Sequence, residues 1–136
     1  MDIIKEAELL LEKCRMLSVS SITEKGYPRV CILAKVKAEG CKTFYFSTAA
    51  SSKKITHYKK NPKAGVTFYD GNDTVTLLGK MIVIEDKKTK DSLWDDWMAP
   101  HFPNGGKNDP EYAIIRFDAE EATAWLKGKF EIIKLT

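Results

Sequence analysis

Short runs of β-branched and aromatic residues, separated by tight turns, recur along most of this chain and constrain its fold more than any other feature. The stretch MLSVSSITEKGYPRVCILAKVKAEGCKTFYFST is interrupted by the turn-forming segments EKGYP and AEGC, so it predicts three strands. KAGVTFYDGNDTVTLLGKMIVIED predicts a hairpin, because Gly71 and Asn72 tolerate the left-handed backbone angles of a tight turn. Three further runs, YAIIRFDA, EATAWLKG and KFEIIKL, bring the expectation to about eight strands.

Strands this short and closely spaced favour an antiparallel barrel, since parallel strands need a crossover of about a dozen residues between each pair. Three peripheral helices are expected. An amphipathic one covers Asp2 to Arg15, a short one runs from Ser51 to about Lys60, and another from about Lys87 to Met98. The segment APHFPNGGKNDPEY is expected to be a loop. The fold class is therefore mainly β with α additions, and 136 residues suit a single domain spanning 1–136.

Charge and cysteine content argue against several classes of protein. The net charge of +3 is small for a nucleic-acid-binding protein, so nucleic acid is an unlikely partner. Cys14, Cys31 and Cys41 are odd in number and lack metal-ligand spacing, which argues against a disulfide framework and against a metal site. No apolar run is long enough for a membrane span, and nothing resembles a signal segment. We therefore expect a cytoplasmic protein with reduced thiols and no membrane partner.

Lys53 and Lys54 stand in the first turn of the second predicted helix, where unpaired amide groups already make the site positive. A bound phosphate would turn this repulsion into attraction, because the amides, a serine hydroxyl and both ammonium groups would converge on one anion. The alternative is an ordinary solvated lysine pair with Ser51 or Ser52 as a simple N-cap. Ser47 and Thr48, at the end of the preceding strand, could orient a ligand's ring beside the phosphate.

In their order along the chain, GYPRVCIL, FYFSTAASSKKITHYKKNP and VTLLGKMIVIED resemble the flavin-binding strands of the pyridoxamine 5'-phosphate oxidase-like split-barrel family. The segment LWDDWMAPHFPNGGKNDPEYAIIRFDAEEATAW is similar to the general stress protein branch of that family. The resemblance implies an antiparallel split barrel that forms a homodimer and holds FMN in clefts between the subunits. It also implies a flavin-dependent oxidoreductase of unknown substrate, or a flavin-binding stress protein without catalysis.

The same resemblance assigns cofactor-binding residues, which fall into four groups. Ser52, Lys53 and Lys54 match the phosphate-binding element, and Arg29, directly after Pro28, is the candidate for the arginine with which many relatives reach the phosphate. A second group, on the strand along the ring edge, comprises Val30, Cys31 and Ile32. The third group is Ser47 and Thr48, and the fourth is Thr76 with Trp97, of which Trp97 would approach the partner subunit's flavin.

The sequence does not assign a substrate, a bound electron donor or a catalytic residue. The sequence up to Thr136 lacks the arginine- and histidine-bearing segment with which pyridoxamine 5'-phosphate oxidases hold their substrate, so that oxidation is not expected. A nicotinamide donor would dock only transiently, because no dinucleotide-binding motif follows a strand. No catalytic residue is assigned, since His57 and His101 lack a recognisable partner and are expected to face solvent.

Two other interpretations accompany this one, namely a packing role for two tryptophans and nucleic-acid binding by a basic segment. Trp94 and Trp97, three residues apart, are expected to share a helical face and to pack in the core or at an interface. KKITHYKK interleaves basic and aromatic residues, as in small barrels that bind single-stranded nucleic acid. Cys31 is expected to be a packed thiol.

Overall fold

The computed structural model describes residues 2–135 and contains seven strands, three α-helices and two short 3₁₀ helices within that range. The helices are α1 (Ile3–Lys13), α2 (Lys53–Lys60) and α3 (Lys87–Leu93), and the 3₁₀ helices are Asp96–His101 and Gly106–Asn108. The strands are β1 (Met16–Ile22), β2 (Pro28–Glu39), β3 (Thr43–Ala49), β4 (Lys63–Asp70), β5 (Asp73–Ile84), β6 (Tyr112–Leu126) and β7 (Lys129–Ile133).

Six of the strands close an antiparallel barrel. The sheet order is β3-β2-β1-β4-β5-β6-β7, and the additional pairing of β3 with β6 joins its two sides. The first half of β6 pairs with β3, from Tyr112 to Asp118, and its second half pairs with β7, from Ala122 to Leu126. A single long strand therefore completes the barrel and then extends beyond it, which confirms the predicted split-barrel fold class.

The barrel interior is filled mainly by alternating apolar residues of the strands. Phe44, Phe46, Phe68 and Phe117 are fully buried, and the Phe44 and Phe117 rings meet edge to face with centroids 6.0 Å apart. The apolar stripe of α1, which includes Ala7, Leu10 and Leu11, packs into the same core. Asp2 caps this helix by accepting a hydrogen bond from the Lys5 amide at 3.2 Å.

The expectation of about eight strands was wrong at β6. YAIIRFDA and EATAWLKG were predicted as separate strands, but they form one strand with a bulge. Leu78 pairs with Glu121 and Gly79 with Ala119, so Glu120 is the extra residue. A bulge bends a strand without ending it, and the polar residues around it resemble a turn in sequence.

The helix expected from Lys87 to Met98 was also too long. α3 ends at Leu93, Trp94 adopts an extended backbone with φ −63° and ψ 138°, and a 3₁₀ helix begins at Asp96. Trp94 and Trp97 therefore do not share an α-helical face as predicted. The expected loop 99–112 also contains 3₁₀ turns.

Within residues 2–135, the structure contains no helix with the length and apolar character needed to cross a lipid bilayer.

Candidate functional site

A cleft of about 560 Å³ opens on one side of the barrel and brings together four of the predicted site residues. These are Ile32 of β2, Ser47 and Thr48 of β3, and Trp97 of the 3₁₀ helix that follows α3. Seven other residues complete the lining, namely Arg15, Met16, Leu33, Ala34, Ala49, His101 and Phe102. The cleft has the size of a small-molecule site, with apolar walls and a few polar groups.

The strand pairing explains why residues distant in sequence meet at this cleft. β2 lies between β1 and β3, since Met16 pairs with Ala34 and Lys35 pairs with Phe46. The segment after α3 approaches from the other side, where Trp94, Phe102 and Tyr112 form an aromatic cluster. The centroids of the Trp94 and Tyr112 rings are 5.2 Å apart, and the two rings are nearly perpendicular. This packing supports the neighbouring Trp97.

Helix α2 begins directly beyond the cleft. The Ser52 amide donates to the carbonyl of the cleft residue Ala49 at 2.9 Å, which closes a four-residue turn. Ser52 is the N-cap of α2, and its Oγ accepts from the Lys54 amide at 3.3 Å. Lys53 and Lys54 are the first two residues of the helix, which confirms their predicted place in its first turn, although the helix begins two residues later than expected.

One face of α2 is buried against the barrel, and it carries three polar or charged side chains. Lys54, His57 and Tyr58 have the i, i+3, i+4 spacing of a single helical face, with exposed fractions of 9%, 8% and 2%. Tyr58 Oη donates to the Ser20 carbonyl at 2.9 Å, and His57 Nδ1 lies 3.3 Å from Ser21 Oγ. Burial raises the pKa of the Tyr58 hydroxyl, which therefore stays protonated.

The burial of His57 contradicts its predicted solvent-facing role. His57 and Tyr58 are anchored to β1, so they cannot serve as stacking groups for nucleic-acid bases, as the KKITHYKK alternative requires. His101 is exposed, as expected, and it also lines the cleft.

Lys54 is nine-tenths buried, yet it takes part in none of the ion pairs or side-chain hydrogen bonds formed within residues 2–135. Lys59 and Lys60, at the other end of α2, pair with Glu85 and Glu24 at 2.8 Å each. The stem of Lys54 is buried, but its ammonium nitrogen keeps access to solvent. Its positive charge is open to an anion that approaches from outside the chain. The start of α2 can therefore hold an anion that the protein itself does not supply to Lys54.

The remaining predicted site residues lie outside the cleft. Arg29 and Val30 are exposed on β2, and Arg29 lies close enough to Tyr58 to oppose the rise in the pKa of that hydroxyl. Thr76 lies in a shallow depression on the outer face of the sheet, and Val30 lines the same depression. Cys31 is half-buried and packs against the core, as expected for a packed thiol.

The other two cysteines add no reactive group. All three cysteines are free, and burial raises the pKa of the Cys14 thiol and that of Cys41, the latter to about 11. Both thiols are therefore protonated at neutral pH.

Arg15 and His101 are the cleft residues of greatest chemical interest that the sequence did not reveal. Arg15 follows α1 and stacks on Trp97, with its guanidinium carbon 4.3 Å from the ring centroid. The two residues are far apart along the chain, so no local pattern predicts their contact.

Comparisons with known proteins agree with this fold. A family model described as pyridoxamine 5'-phosphate oxidase matches residues 3–126. Among solved structures, a Clostridium acetobutylicum protein related to general stress protein 26 of Bacillus subtilis, of the pyridoxinephosphate oxidase family, is 29% identical. That match has a TM-score of 0.89 and covers 98% of this chain and 94% of the other.

Two further structures are similar in fold. General stress protein 26 from Bacillus anthracis is 19% identical with a TM-score of 0.79, covering 98% of this chain and 100% of its own. A NimC/NimA family protein from Clostridium acetobutylicum is 20% identical with a TM-score of 0.72. That match covers 99% of this chain and 95% of the other. No curated protein sequence matches this chain.

Proposed function

The chain belongs to the pyridoxamine 5'-phosphate oxidase family, whose members commonly bind flavin, and from this membership we propose that it binds FMN between two copies of itself. Bound FMN would supply the chemistry of a flavin-dependent oxidoreductase, accepting a hydride or electrons and passing them on. The contribution of this chain is to anchor the phosphate, to orient the ring and to limit the access of water. The substrate is not assigned.

The observation that carries the proposal is the burial of Lys54 without an acidic partner among residues 2–135. A phosphate at the start of α2 would neutralise this ammonium group and that of Lys53. It would also accept hydrogen bonds from amides at the helix N-terminus. These residues fit the terminal group of FMN, and the proposal assigns Ser52, Lys53 and Lys54 to it.

The ring end of the cofactor is assigned to the adjoining cleft. A volume of about 560 Å³ is sufficient for a planar tricyclic ring with room to spare. Ile32, Ser47, Thr48 and Trp97 line this space, and the hydrogen-bonded turn from Ala49 to Ser52 connects it to the lysines. One ligand can therefore reach both places. Val30 and Cys31 belong to the same strand as Ile32 and are proposed to lie along the ring edge. Arg29, on the same strand, is proposed to reach the phosphate, as the resemblance implies.

The test compares FMN with riboflavin, which lacks the phosphate. The variant is Lys53→Ala/Lys54→Met, in which methionine fills the volume of the buried lysine stem. Two charge-assisted contacts at about 1.5 kcal/mol each predict at least roughly hundredfold weaker FMN binding. Riboflavin affinity should be unchanged, so the preference for FMN over riboflavin should fall by the same factor. Titration by flavin fluorescence measures both affinities.

The matched control is Lys59→Ala/Lys60→Ala, which removes the same charge from the same helix at its other end. The exposed ion pairs that this variant loses, with Glu85 and Glu24, contribute little to stability, so the fold should be retained. FMN affinity within about threefold of the wild-type value is expected, because these charges are solvated and screened. Full FMN affinity in the Lys53/Lys54 variant would refute the phosphate assignment.

Catalysis is distinguished from passive flavin binding by a second measurement. A flavoenzyme should be reduced by a nicotinamide donor that docks transiently, and its flavin should be reoxidised by a small acceptor. A flavin-binding stress protein without catalysis should remain oxidised in the presence of the donor. Stopped-flow absorbance of the flavin band separates the two.

A further inference from the structure

The end of the cleft near Arg15 is positively charged, and no acidic group compensates it. Arg15 forms no ion pair within residues 2–135, although eight such pairs occur there. Its guanidinium carbon lies 4.3 Å from the centroid of the Trp97 ring, which is within the range of a cation–π contact. None of the residues that line the cleft is acidic.

The backbone of Arg15 and the ring that its side chain contacts are both held in place. The Arg15 carbonyl accepts a hydrogen bond from the Lys35 amide at 2.8 Å, which ties it to β2. The Trp97 ring is half-buried, and His101 contacts it edge-on, with the ring centroids 6.5 Å apart. The Arg15 side chain is therefore positioned against the wall of the cleft, although it is exposed to solvent.

The walls around this charge are apolar. Ile32, Phe102 and the Trp97 ring surround the space, and Met16 lies beside Arg15. Flat apolar walls favour a planar ligand, whereas a guanidinium group presents two parallel N–H donors that match a carboxylate. His101 adds a second nitrogen donor at the same end.

We propose that Arg15, Trp97 and His101 form a binding site for a small planar carboxylate, such as an aromatic or conjugated acid. Trp97 and Ile32 would contact the planar body, and Arg15 would bind the carboxylate. This inference rests on the proposed function for its biological meaning, since such an acid would lie beside the flavin ring as the second ligand of the cleft. The substrate class of the protein would then be planar organic acids.

The experiment uses benzoate and benzamide as probes, because they have nearly the same shape and differ in charge. In isothermal titration calorimetry of the purified protein saturated with FMN, benzoate should bind at least about tenfold more tightly than benzamide. This difference is consistent with one charge-assisted contact. Arg15→Gln should abolish this preference by weakening benzoate alone, and Arg15→Lys should retain part of it.

The location of binding is read from the indole N–H signals of the three tryptophans in an NMR spectrum. Benzoate should shift the signal of Trp97, whereas Trp125 serves as an internal reference because it lies on β6, away from the cleft. The matched control is Lys90→Gln, which removes a cation that lies 5.6 Å from the Tyr112 ring and outside the cleft. This variant should keep the preference for benzoate.

Equal binding of benzoate and benzamide to the wild-type protein would overturn the inference, and so would a preference that survives Arg15→Gln. A fall in FMN affinity, but not in riboflavin affinity, in Arg15→Gln would assign Arg15 to the cofactor phosphate instead and would also overturn it. Flavin content is measured on the same samples. A protein that binds no flavin but still prefers benzoate at Trp97 would contradict the proposed function while supporting this site.

Discussion

Glu111 places a carboxylate against the segment that leads into α2. The amide of Ser51 donates to Glu111 Oε2 at 3.4 Å, and the Ser51 hydroxyl donates to the same oxygen at 2.5 Å. The Glu111 carbonyl also accepts from the Ala50 amide at 2.9 Å. This glutamate therefore orders the turn between the cleft and the helix, and its negative charge lies near the proposed phosphate position.

Neutralising this carboxylate is expected to strengthen FMN binding. Glu111→Gln keeps an oxygen that can accept from Ser51, but it removes the repulsion between a carboxylate and a phosphate. We expect roughly two- to fivefold tighter binding of FMN at low salt, an effect that declines as salt screens the charges. Riboflavin affinity should not change, because riboflavin carries no phosphate. Fluorescence titration at two salt concentrations measures the effect, and equal tightening of both flavins would contradict the electrostatic explanation.

At the scale of elements, the bulge in β6 depends on a single glycine of β5. A Cβ atom built on Gly79 would lie 2.1 Å from the Asp118 carbonyl oxygen and 2.9 Å from the Ala119 Cα, both of which are backbone atoms. No side-chain rotation can relieve such an overlap, so the two strands would have to separate. Gly79 therefore allows β5 and β6 to approach closely where Glu120 is the extra residue.

Gly79→Ala is expected to destabilise the protein by at least about 2 kcal/mol, as overpacking against a rigid backbone does. Urea denaturation followed by circular dichroism measures the change. Gly71→Ala is the comparison, since Gly71 has φ +61° in the β4–β5 turn but nothing within 4 Å of its Cβ position. That variant should lose about 1 kcal/mol from backbone strain alone. A smaller loss at Gly79 than at Gly71 would show that the strands adjust easily.

The sequence predicted most of the elements because their signals are local. The turns around Gly26 and Gly71, a serine cap before α2 and the Asn61-Pro62 end of that helix are each defined by a few neighbouring residues. The sequence left Ser51 and Ser52 as alternatives for the cap, and the structure selects Ser52. The resemblance predicted the family correctly. The long β6 strand was missed because its continuity depends on pairing with three other strands. The cleft was predicted only in part for the same reason. Ser47 and Thr48 end a strand that sequence can identify, whereas Arg15 reaches Trp97 only after the barrel has closed.

At the scale of the whole molecule, the outer face of the sheet carries an exposed apolar patch beside the cleft. The register aligns Ile32 of β2 with Ser18, Thr67 and Thr76 across β1, β4 and β5. Val30 and Ile32 expose 67% and 62% of their surface, and Leu78 is also exposed nearby. Exposed apolar groups that flank short hydroxyl side chains on the outside of the barrel form a surface suited to another protein. Because Ile32 belongs to both this patch and the cleft, a second copy bound here would border the proposed flavin site.

Val30→Lys should therefore disrupt the proposed dimer and release flavin at the same time. Two copies related by a two-fold axis would place two added charges in one apolar interface, which is strongly unfavourable. Analytical ultracentrifugation should show a monomer, and the flavin absorbance recovered after gel filtration should fall in parallel. Leu9→Lys, an exposed apolar residue of α1, is the matched control and should remain a flavin-bound dimer. A wild-type protein that is monomeric while it retains FMN would contradict the interface. Loss of the dimer with full retention of FMN would mean that one subunit supplies the whole site, and would contradict the placement of the flavin between two copies.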